Sequence, residues 1–276
     1  SNENCADTIN FEVAAPEKIR INPANTVTED VTCFGDSNGV ARLQFTGGTG
    51  PYNLIWQNDN RNEATRTDLK AGFYQIIIRD INNCIVRDSL EINQPDLFEV
   101  TTVDNLLKSV RCNGSSDGRI VLQFEGGNLG PKQLIWSPSV VGDSLAQNLS
   151  AGIYSVVARD VKGCLDSLTV EITEPPLIDI EMPLPNPPDC FGERISLSVL
   201  NASGGNGPDY VFTINNGEKY NLGDSVKLFA GSYMVSVFDE AGCSKDTFID
   251  IDSPDEILVT FDENEIEVEL GDTIEV

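Results

Sequence analysis

Seven cysteines are the residues of this 276-residue chain whose type and spacing first indicate chemistry. They form two interleaved series: Cys5, Cys84, Cys164 and Cys243 at steps of 79, 80 and 79 residues, and Cys33, Cys112 and Cys190 at steps of 79 and 78. The chain has no Cys-x-x-Cys motif and no histidine, which argues against a zinc site or a redox-active pair. Two cysteines per period instead predict disulfides formed in an oxidising compartment.

The spacing of the cysteines leaves two pairings open. Pairing within each period gives Cys33–Cys84, Cys112–Cys164 and Cys190–Cys243, with Cys5 unpaired. Pairing across period boundaries gives Cys5–Cys33, Cys84–Cys112 and Cys164–Cys190, with Cys243 unpaired. Loop-closure entropy does not choose, because loops of about 52 and about 27 residues contribute about 4.1 and about 3.5 kcal/mol. We favour pairing within the period, because each unit would then fold independently.

Two acidic turns are the candidates for metal binding. The segments Asp36-Ser37-Asn38-Gly39 and Asp80-Ile81-Asn82-Asn83 are rich in oxygen ligands, so Asp36, Asn38 and Asp80 are weak candidates for Ca²⁺. Neither segment has the full spacing of a calcium loop with a distal glutamate. A β-turn explains both without a metal, and we expect no cofactor.

Catalysis is not indicated by any of these residues. Without histidine the chain lacks the commonest general base. Carboxylates occur throughout, but they lie in repeated modules, whereas catalysis requires one specialised site. Trp56 and Trp136 are candidates for sugar-stacking platforms, yet each follows a Leu-Ile pair in a predicted central strand, where a sandwich-core tryptophan is typical. We therefore predict a protein that is not an enzyme, with both tryptophans in cores.

The elements that position these residues repeat about every 79 residues, which predicts an array of similar modules. Each module opens with Cys-x-Gly, passes through a Gly-Gly turn and a Leu-x-Ala-Gly-x-Tyr segment, and closes with Asp-x-x-x-Cys. Apolar residues alternate after each tyrosine, as in a strand with one buried face. Tyr74, Tyr154 and Tyr233 are similar to the corner tyrosine of immunoglobulin-like sandwiches, whose hydroxyl anchors a turn.

We therefore predict an all-β fold of tandem immunoglobulin-like β-sandwiches. Prolines mark the module boundaries because proline cannot continue a sheet interior. The predicted divisions are 1–16 (tail strand of an upstream repeat), 17–95 (repeat 1), 96–176 (repeat 2), 177–254 (a divergent repeat 3) and 255–276 (start of a downstream domain or linker). No flexible Gly/Ser linker separates the modules, so we expect a semi-rigid, end-to-end arrangement within a longer parent protein.

The charge of the chain limits its partners. Its 44 acidic and 18 basic residues give a formal net charge of -26. Such a surface repels nucleic acid and anionic lipid headgroups, so we expect neither as a partner. No apolar stretch approaches the length that a membrane span needs, and we expect no membrane insertion.

These motifs together resemble the SprB repeat, which occurs in very large cell-surface adhesins of Bacteroidota. The resemblance extends from residue 1 to about residue 254, and repeat 3 departs from it because it lacks the tryptophan and the Asn-Gly turn after its first cysteine. The resemblance implies type 9 secretion, display on the cell surface and a role in gliding motility. Its implied partners are the secretion and gliding machinery, neighbouring repeats, and surfaces or polysaccharide.

Two functions from different classes remain open. The first is a spacer and contact segment of a giant surface adhesin, in which the variable stretches 57–68, 137–148 and 215–227 would make the contacts. The second is an accessory, lectin-like module of a secreted polysaccharide-degrading enzyme. A parent chain with dozens of copies would favour the first, and a catalytic domain beside a few copies would favour the second.

Overall fold

The computed structural model describes residues 7–57 and 61–257, and strands dominate it. The only helical element among these residues is a 3-10 turn at Asp104–Leu106. The predicted all-β, tandem immunoglobulin-like fold is confirmed. It follows from frequent turn glycines and short runs of β-branched and aromatic residues with a period of two. No helix in the described ranges is long and apolar enough to cross a membrane.

Repeat 1 is a sandwich of two sheets whose strands are β1 (Arg20–Ile21), β2 (Val27–Glu29), β3 (Gly39–Arg42), β4 (Phe45–Thr46), β5 (Asn53–Trp56), β6 (Thr65–Leu69), β7 (Gly72–Arg79) and β8 (Ile85–Ile92). The two sheets have three strands each, β2-β3-β6 and β5-β7-β8, and β1-β4 form a separate short pair. Ala41 and Leu69 from one sheet pack with Trp56, Ile76 and Ile92 from the other in one buried cluster. This cluster is the core that joins the two sheets.

Repeat 2 has the same arrangement, with the strands β9 (Glu99–Thr102), β10 (Gly118–Glu125), β11 (Gln133–Ser137), β12 (Leu145–Leu149), β13 (Gly152–Arg159) and β14 (Leu165–Ile172). They form the sheets β12-β10-β9 and β11-β13-β14. Ile120, Trp136, Val156 and Ile172 are buried at positions equivalent to core residues of repeat 1. The apolar alternation along the strands therefore indicates the same inner faces in repeats 1 and 2.

Repeat 3 differs in both sheets. Its strands are β15 (Asp179–Glu181), β16 (Ile195–Leu197), β17 (Asn201–Ser203), β18 (Val211–Ile214), β19 (Lys219–Asn221), β20 (Val226–Leu228), β21 (Gly231–Phe238) and β22 (Ser244–Ile251). The first sheet is divided into the pairs β15-β17 and β16-β20, and the second gains β19. Asn215 and Asn216 take positive φ at the β18–β19 turn, and fully buried Phe212 fills the core that lacks a tryptophan.

Packing divides the chain into two compact units. The first holds the described residues up to 108 together with 119–147 and 152–171, and the second holds 109–118, 148–151 and the described residues from 172 onward. The boundaries predicted from the prolines, and the end-to-end arrangement, stay predictions. In each repeat an eight-residue antiparallel strand pair brackets the Asp-x-x-x-Cys segment, in β7-β8, β13-β14 and β21-β22. These strands fix where each cysteine lies.

Candidate functional site

Two disulfides connect successive repeats. Cys33 is bonded to Cys164 and Cys112 to Cys243, with Cα atoms 5.6 and 5.5 Å apart and 131 residues between partners in each case. The prediction of disulfides is confirmed, but both predicted pairings are wrong. The within-repeat bonds Cys33–Cys84, Cys112–Cys164 and Cys190–Cys243 are absent, as are the boundary bonds Cys84–Cys112 and Cys164–Cys190. Cys84 and Cys190 are free thiols, and Cys5 lies outside the described residues.

The within-repeat pairing fails because the two cysteines of a repeat lie at opposite ends of its sandwich. The loop that carries Cys33 is bonded to the exit of the repeat, through Val31 N to Asn93 O at 3.1 Å. Cys84 instead precedes β8, whose eight residues span about 26 Å before the chain reaches Asn93. A disulfide requires Cα atoms within about 7 Å. Cys33 and Cys84 therefore cannot meet in the folded repeat.

The closing turn of each repeat, defined as Asp-x-x-x-Cys at 80–84, 160–164 and 239–243, is organised by its aspartate. Asp160 is 4% exposed, and its Oδ1 accepts the backbone N–H groups of Lys162, Gly163 and Cys164 at 2.8, 2.8 and 3.0 Å. The corresponding bond from Cys243 N to Asp239 Oδ1 is 2.8 Å long. The carboxylate thereby fixes the direction in which the closing cysteine points.

An asparagine connects this turn to the preceding repeat. Asn128 donates its backbone N–H and its Nδ2 to Asp160 Oδ2 at 2.7 and 2.9 Å, and Nδ2 also donates to Thr32 O at 3.0 Å. Thr32 directly precedes Cys33, so the hydrogen bond lies beside the disulfide. Asn128 therefore bridges the closing turn of repeat 2 to the opening loop of repeat 1.

The same bridge recurs at the next pair of repeats. Asn206 donates its backbone N–H and its Nδ2 to Asp239 Oδ2 at 2.7 and 3.1 Å. Its Nδ2 also donates to Arg111 O at 2.8 Å, one residue before Cys112. Each junction thus consists of a disulfide, a buried aspartate and a bridging asparagine. Two independent copies with matching distances indicate a specific arrangement rather than a chance contact.

The electrostatics of the two junction aspartates follow from these bonds. Burial disfavours the charged form, but the hydrogen bonds from Asn128, Cys164 and Lys162 outweigh it and hold the pKa of Asp160 well below its ordinary value. Burial also opposes ionisation of Asp239, and the hydrogen bonds from Asn206 and Cys243 likewise lower its pKa. Both carboxylates are therefore ionised and serve as acceptors over the whole physiological pH range.

The glycine pair before each bridging residue lets the chain approach the linker closely. A Cβ on Gly126 (φ +62°) would lie 1.9 Å from Leu97 O, and one on Gly204 (φ +84°) would lie 1.9 Å from Leu177 O. Any side chain would clash with backbone there, and the positive φ itself favours glycine. These glycines seat the loop that carries Asn128 or Asn206 against the entry of its own repeat.

The candidate calcium ligands are occupied by turn hydrogen bonds. Asp36 Oδ2 accepts Cys33 N at 3.2 Å, and Asn38 Oδ1 accepts Thr32 N at 2.9 Å. Asp80 accepts Cys84 N on Oδ1 and Thr49 N on Oδ2. Within 7–57 and 61–257 no three His, Cys, Asp or Glu residues are grouped as metal ligands would be. These residues act on the backbone of the opening loop and closing turn.

The predicted structural residues lie in or near the cores. Trp56 is 1% exposed and donates Nε1 to Glu63 O at 2.9 Å, and Trp136 is also buried. The Tyr74 hydroxyl donates to Lys70 O and accepts from Lys70 N, both at 3.0 Å, and the Tyr233 hydroxyl donates to Phe229 O at 3.1 Å. Tyr154 is buried. Their burial is typical of core tryptophans, and the hydroxyl bonds are typical of corner tyrosines, although the buried Nε1 of Trp136 has no hydrogen-bond partner among the described residues.

The bridging asparagines are functional residues that the sequence reading missed. They occupy the first variable position after the Gly-Gly pair, where repeat 1 has Thr49. The available signal was the recurrence of asparagine there in repeats 2 and 3. A polar residue after two glycines is, however, common in any turn. The carbonyl group that each asparagine side chain binds lies in the preceding repeat, so the local sequence does not indicate it.

Comparison with known proteins bears on the family and the fold. The model of the SprB repeat family matches residues 25–60, which confirms the resemblance to that repeat within repeat 1; its extension over residues 1 to about 254 stays a prediction. Among solved structures, the chain is similar to Sidekick-1 immunoglobulin domains 1–5 (TM-score 0.33, 13% identity, 87% of this chain and 60% of that one). It is also similar to domains 4–9 of the surface layer protein SbsC (TM-score 0.26, 13% identity, 87% of this chain and 48% of that one). No curated protein matches the chain.

Proposed function

We propose that this chain is a non-enzymatic, disulfide-linked segment of a large cell-surface adhesin, which acts as a spacer and contact array for attachment or gliding motility. The match to the SprB repeat supports the adhesin class. Export by the type 9 secretion system and display on the outer surface belong to the same proposal. The observation that carries it is the pair of disulfides, each joining one repeat to the next.

The two disulfides overlap along the chain, because Cys112 lies between Cys33 and Cys164. Each disulfide can be treated as a node, and three chain segments then run from one node to the other: 33–112, 112–164 and 164–243. The shortest has 52 residue steps (164 − 112), whereas the unlinked path from Cys33 to Cys243 has 210 (243 − 33). A pulling force is therefore shared by three parallel segments.

This covalent topology limits extension. A chain extends by at most about 3.3–3.6 Å per residue. Even with every repeat unfolded, the nodes could separate by about 170–190 Å, against about 690–760 Å without disulfides. A spacer that holds contact surfaces away from a moving cell needs such a limit, because unlimited unfolding would dissipate the force. The net charge of -26 also keeps neighbouring molecules apart in solution.

Force spectroscopy on single molecules tests the mechanical part. Enzymatic tags at both ends of the chain avoid handles attached through cysteine. The variant Cys33→Ser/Cys112→Ser should reach a full extension about 520–570 Å longer than the oxidised parent, which corresponds to the 158 residues (210 − 52) that the disulfides withhold. Equal extension of the two proteins would refute the load-limiting role.

Experiments on cells test the adhesive part. Antibodies against the repeats should label intact cells equally for the parent and for Cys33→Ser/Cys112→Ser. Attachment under shear flow should fall in the variant, while attachment without flow should change little. Equal attachment under flow, together with soluble polysaccharide binding by the isolated chain, would favour the accessory lectin-like module instead.

A further inference from the structure

An open pocket lies beside the closing turn of repeat 2. Its volume is about 600 Å³, and it lies entirely within the first compact unit. It is formed by residues 131 and 133, where the chain enters β11, and by residues 159–163, at the end of β13 and in the closing turn. Pockets of about 300–1,000 Å³ are typical sites for small molecules, and an inorganic ion would fill only a small part of this one.

Two exposed cations determine the charge of the pocket. Arg159 is the last residue of β13, and Lys162 lies in the closing turn. Neither side chain has a hydrogen-bond or ion-pair partner among the described residues. The acidic residue among those that line the pocket, Asp160, is buried and accepts backbone and Asn128 donors. The pocket therefore presents positive charge to solvent, in a chain whose net charge is -26.

The closing turn holds both cations in place. Asp160 Oδ1 accepts Lys162 N and Gly163 N, each at 2.8 Å, which fixes the backbone that carries Lys162. Gly163 has no side chain, and the Arg159 guanidinium lies across it, because a Cβ on Gly163 would be 3.4 Å from Nη2 and 3.5 Å from Nε of that arginine. Ordered backbone therefore presents both charges, which lowers the entropic cost of binding a ligand.

The remaining walls of the pocket are suited to a sugar. Gln133 lies opposite Arg159 in the register of β11 and β13, and its exposed amide can donate to or accept from hydroxyl groups. Pro131 and Val161 add exposed apolar surface, against which the C–H face of a sugar ring can pack. A guanidinium binds a carboxylate through two parallel hydrogen bonds. Together these groups match a sugar that carries a carboxylate.

The equivalent positions of the other repeats lack this combination. Repeat 1 keeps the arginine, as Arg79, but has Asn82 in place of Lys162. Repeat 3 has Phe238 in place of the arginine and Ala241 in place of the lysine. The pair of cations is therefore specific to repeat 2, although all three closing turns are organised by an equivalent aspartate.

We propose that this pocket binds a sugar acid, such as a uronate unit of a polysaccharide, with Arg159 and Lys162 on its carboxylate and Gln133 on a ring hydroxyl. The choice of a sugar rests on the contact role in the proposed function. The net charge of the chain does not prevent binding, because distant charges are screened beyond about 8 Å at physiological ionic strength, whereas the two cations contact the ligand directly. A densely charged polyanion such as nucleic acid would still be repelled.

Nuclear magnetic resonance titrations of the oxidised, isotope-labelled chain at physiological ionic strength test the assignment. The probes are digalacturonate, galactobiose, which has the same two rings without carboxylates, and aspartyl-aspartate, which has carboxylates without rings. Digalacturonate should shift the backbone amides of Lys162 and Gly163 saturably. It should bind about tenfold more tightly than galactobiose, because only the uronate makes charge-assisted hydrogen bonds to the two cations.

Substitutions of the exposed cations provide the second arm. Arg159→Gln and Lys162→Gln should each weaken digalacturonate binding about tenfold, the loss expected for a charge-assisted hydrogen bond. Arg79→Gln is the matched control, because it removes the same charge at the equivalent exposed position of repeat 1, and it should leave the Kd unchanged. All three variants should keep the native amide spectrum, because the substituted side chains are exposed.

Three results would overturn the inference. The first is the absence of saturable shifts in the closing turn of repeat 2, and the second is an equal loss of affinity in Arg79→Gln and Arg159→Gln. The third is binding of aspartyl-aspartate as tight as that of digalacturonate, which would indicate a site for acidic peptides. None of these results affects the force experiment above, which depends only on the two disulfides.

Discussion

Replacing Asp160 by asparagine removes a charge from the centre of a junction while keeping its shape. Asp160 accepts three backbone N–H groups on Oδ1 and two Asn128 donors on Oδ2. An asparagine has one acceptor oxygen and one NH₂ group. In the less costly orientation of the new asparagine side chain, its oxygen faces the closing turn and its NH₂ group faces the two donors of Asn128. Two charge-assisted bonds are then lost.

The size of the effect follows from those two bonds. Hydrogen bonds to charged groups contribute about 1.5–3 kcal/mol each, so Asp160→Asn should lower the free energy of unfolding by about 3–5 kcal/mol once partial relaxation is allowed. Asp80→Asn is the matched control, because within the described residues the Asp80 carboxylate accepts Cys84 N and Thr49 N and has no bridging asparagine. In either orientation the new amide side chain loses one of these two hydrogen bonds, so Asp80→Asn should lower the free energy of unfolding by about 1.5–3 kcal/mol.

The two tryptophans allow repeats 1 and 2 to be followed separately. Urea unfolding monitored by fluorescence reports on repeat 2 in a Trp56→Phe background and on repeat 1 in a Trp136→Phe background. Because the pKa of Asp160 is lowered on folding, its contribution is fully present above the unfolded value of about 3.9 and is lost as pH falls towards the folded value. The difference in the free energy of unfolding between the parent and Asp160→Asn should therefore become smaller below about pH 4. Equal costs for Asp160→Asn and Asp80→Asn would refute the junction role.

Two further predictions concern the disulfides and the corner tyrosines. Non-reducing peptide mapping of the native chain should recover Cys33–Cys164 and Cys112–Cys243, whereas oxidation in denaturant should enrich Cys33–Cys84; a native Cys33–Cys84 peptide would contradict the structure. Tyr74→Phe should lower the free energy of unfolding by about 0.5–1.5 kcal/mol, because the hydrogen bonds to Lys70 are lost. Tyr154→Ala should lower it by about 3–5 kcal/mol, because a buried ring is deleted. Thermal melts measure both, and an unchanged midpoint for Tyr154→Ala would exclude a core role.

The sequence was sufficient to predict what depends on local pattern. The alternation after Tyr74 and Tyr154 places Ile76 and Val156 on inner faces, and both are buried. The two tryptophans lie in cores for the same reason, because a run with a period of two has only one inner face. Repeat 3 has no tryptophan to mark its core strand, and Phe212 fills its core from a different position in that strand.

The junction could not be predicted in this way because its partners come from different repeats. Asn128 acts on Thr32, 96 residues earlier, and nothing local to either residue indicates the other. The ends of the strands did contain a usable signal. Cys84 directly precedes the eight-residue strand β8, which runs towards the boundary proline at the exit of the repeat. Cys33 lies in the loop that follows the strands running from the entry of the repeat to its exit. Strand direction therefore places the two at opposite ends, which excludes the within-repeat bond.

Chain entropy alone would give the wrong disulfides. Closing the 51-residue loop between Cys33 and Cys84 (84 − 33) is favoured over the 131-residue loop to Cys164 by (131/51) to the power 1.5, about fourfold. The native bond therefore depends on folded repeats that keep Cys33 and Cys84 apart and on the bridge through Asn128 that brings Cys164 to Cys33. Until the repeats have folded, chain entropy therefore favours the non-native link, whereas oxidation or exchange in the folded chain gives the native one.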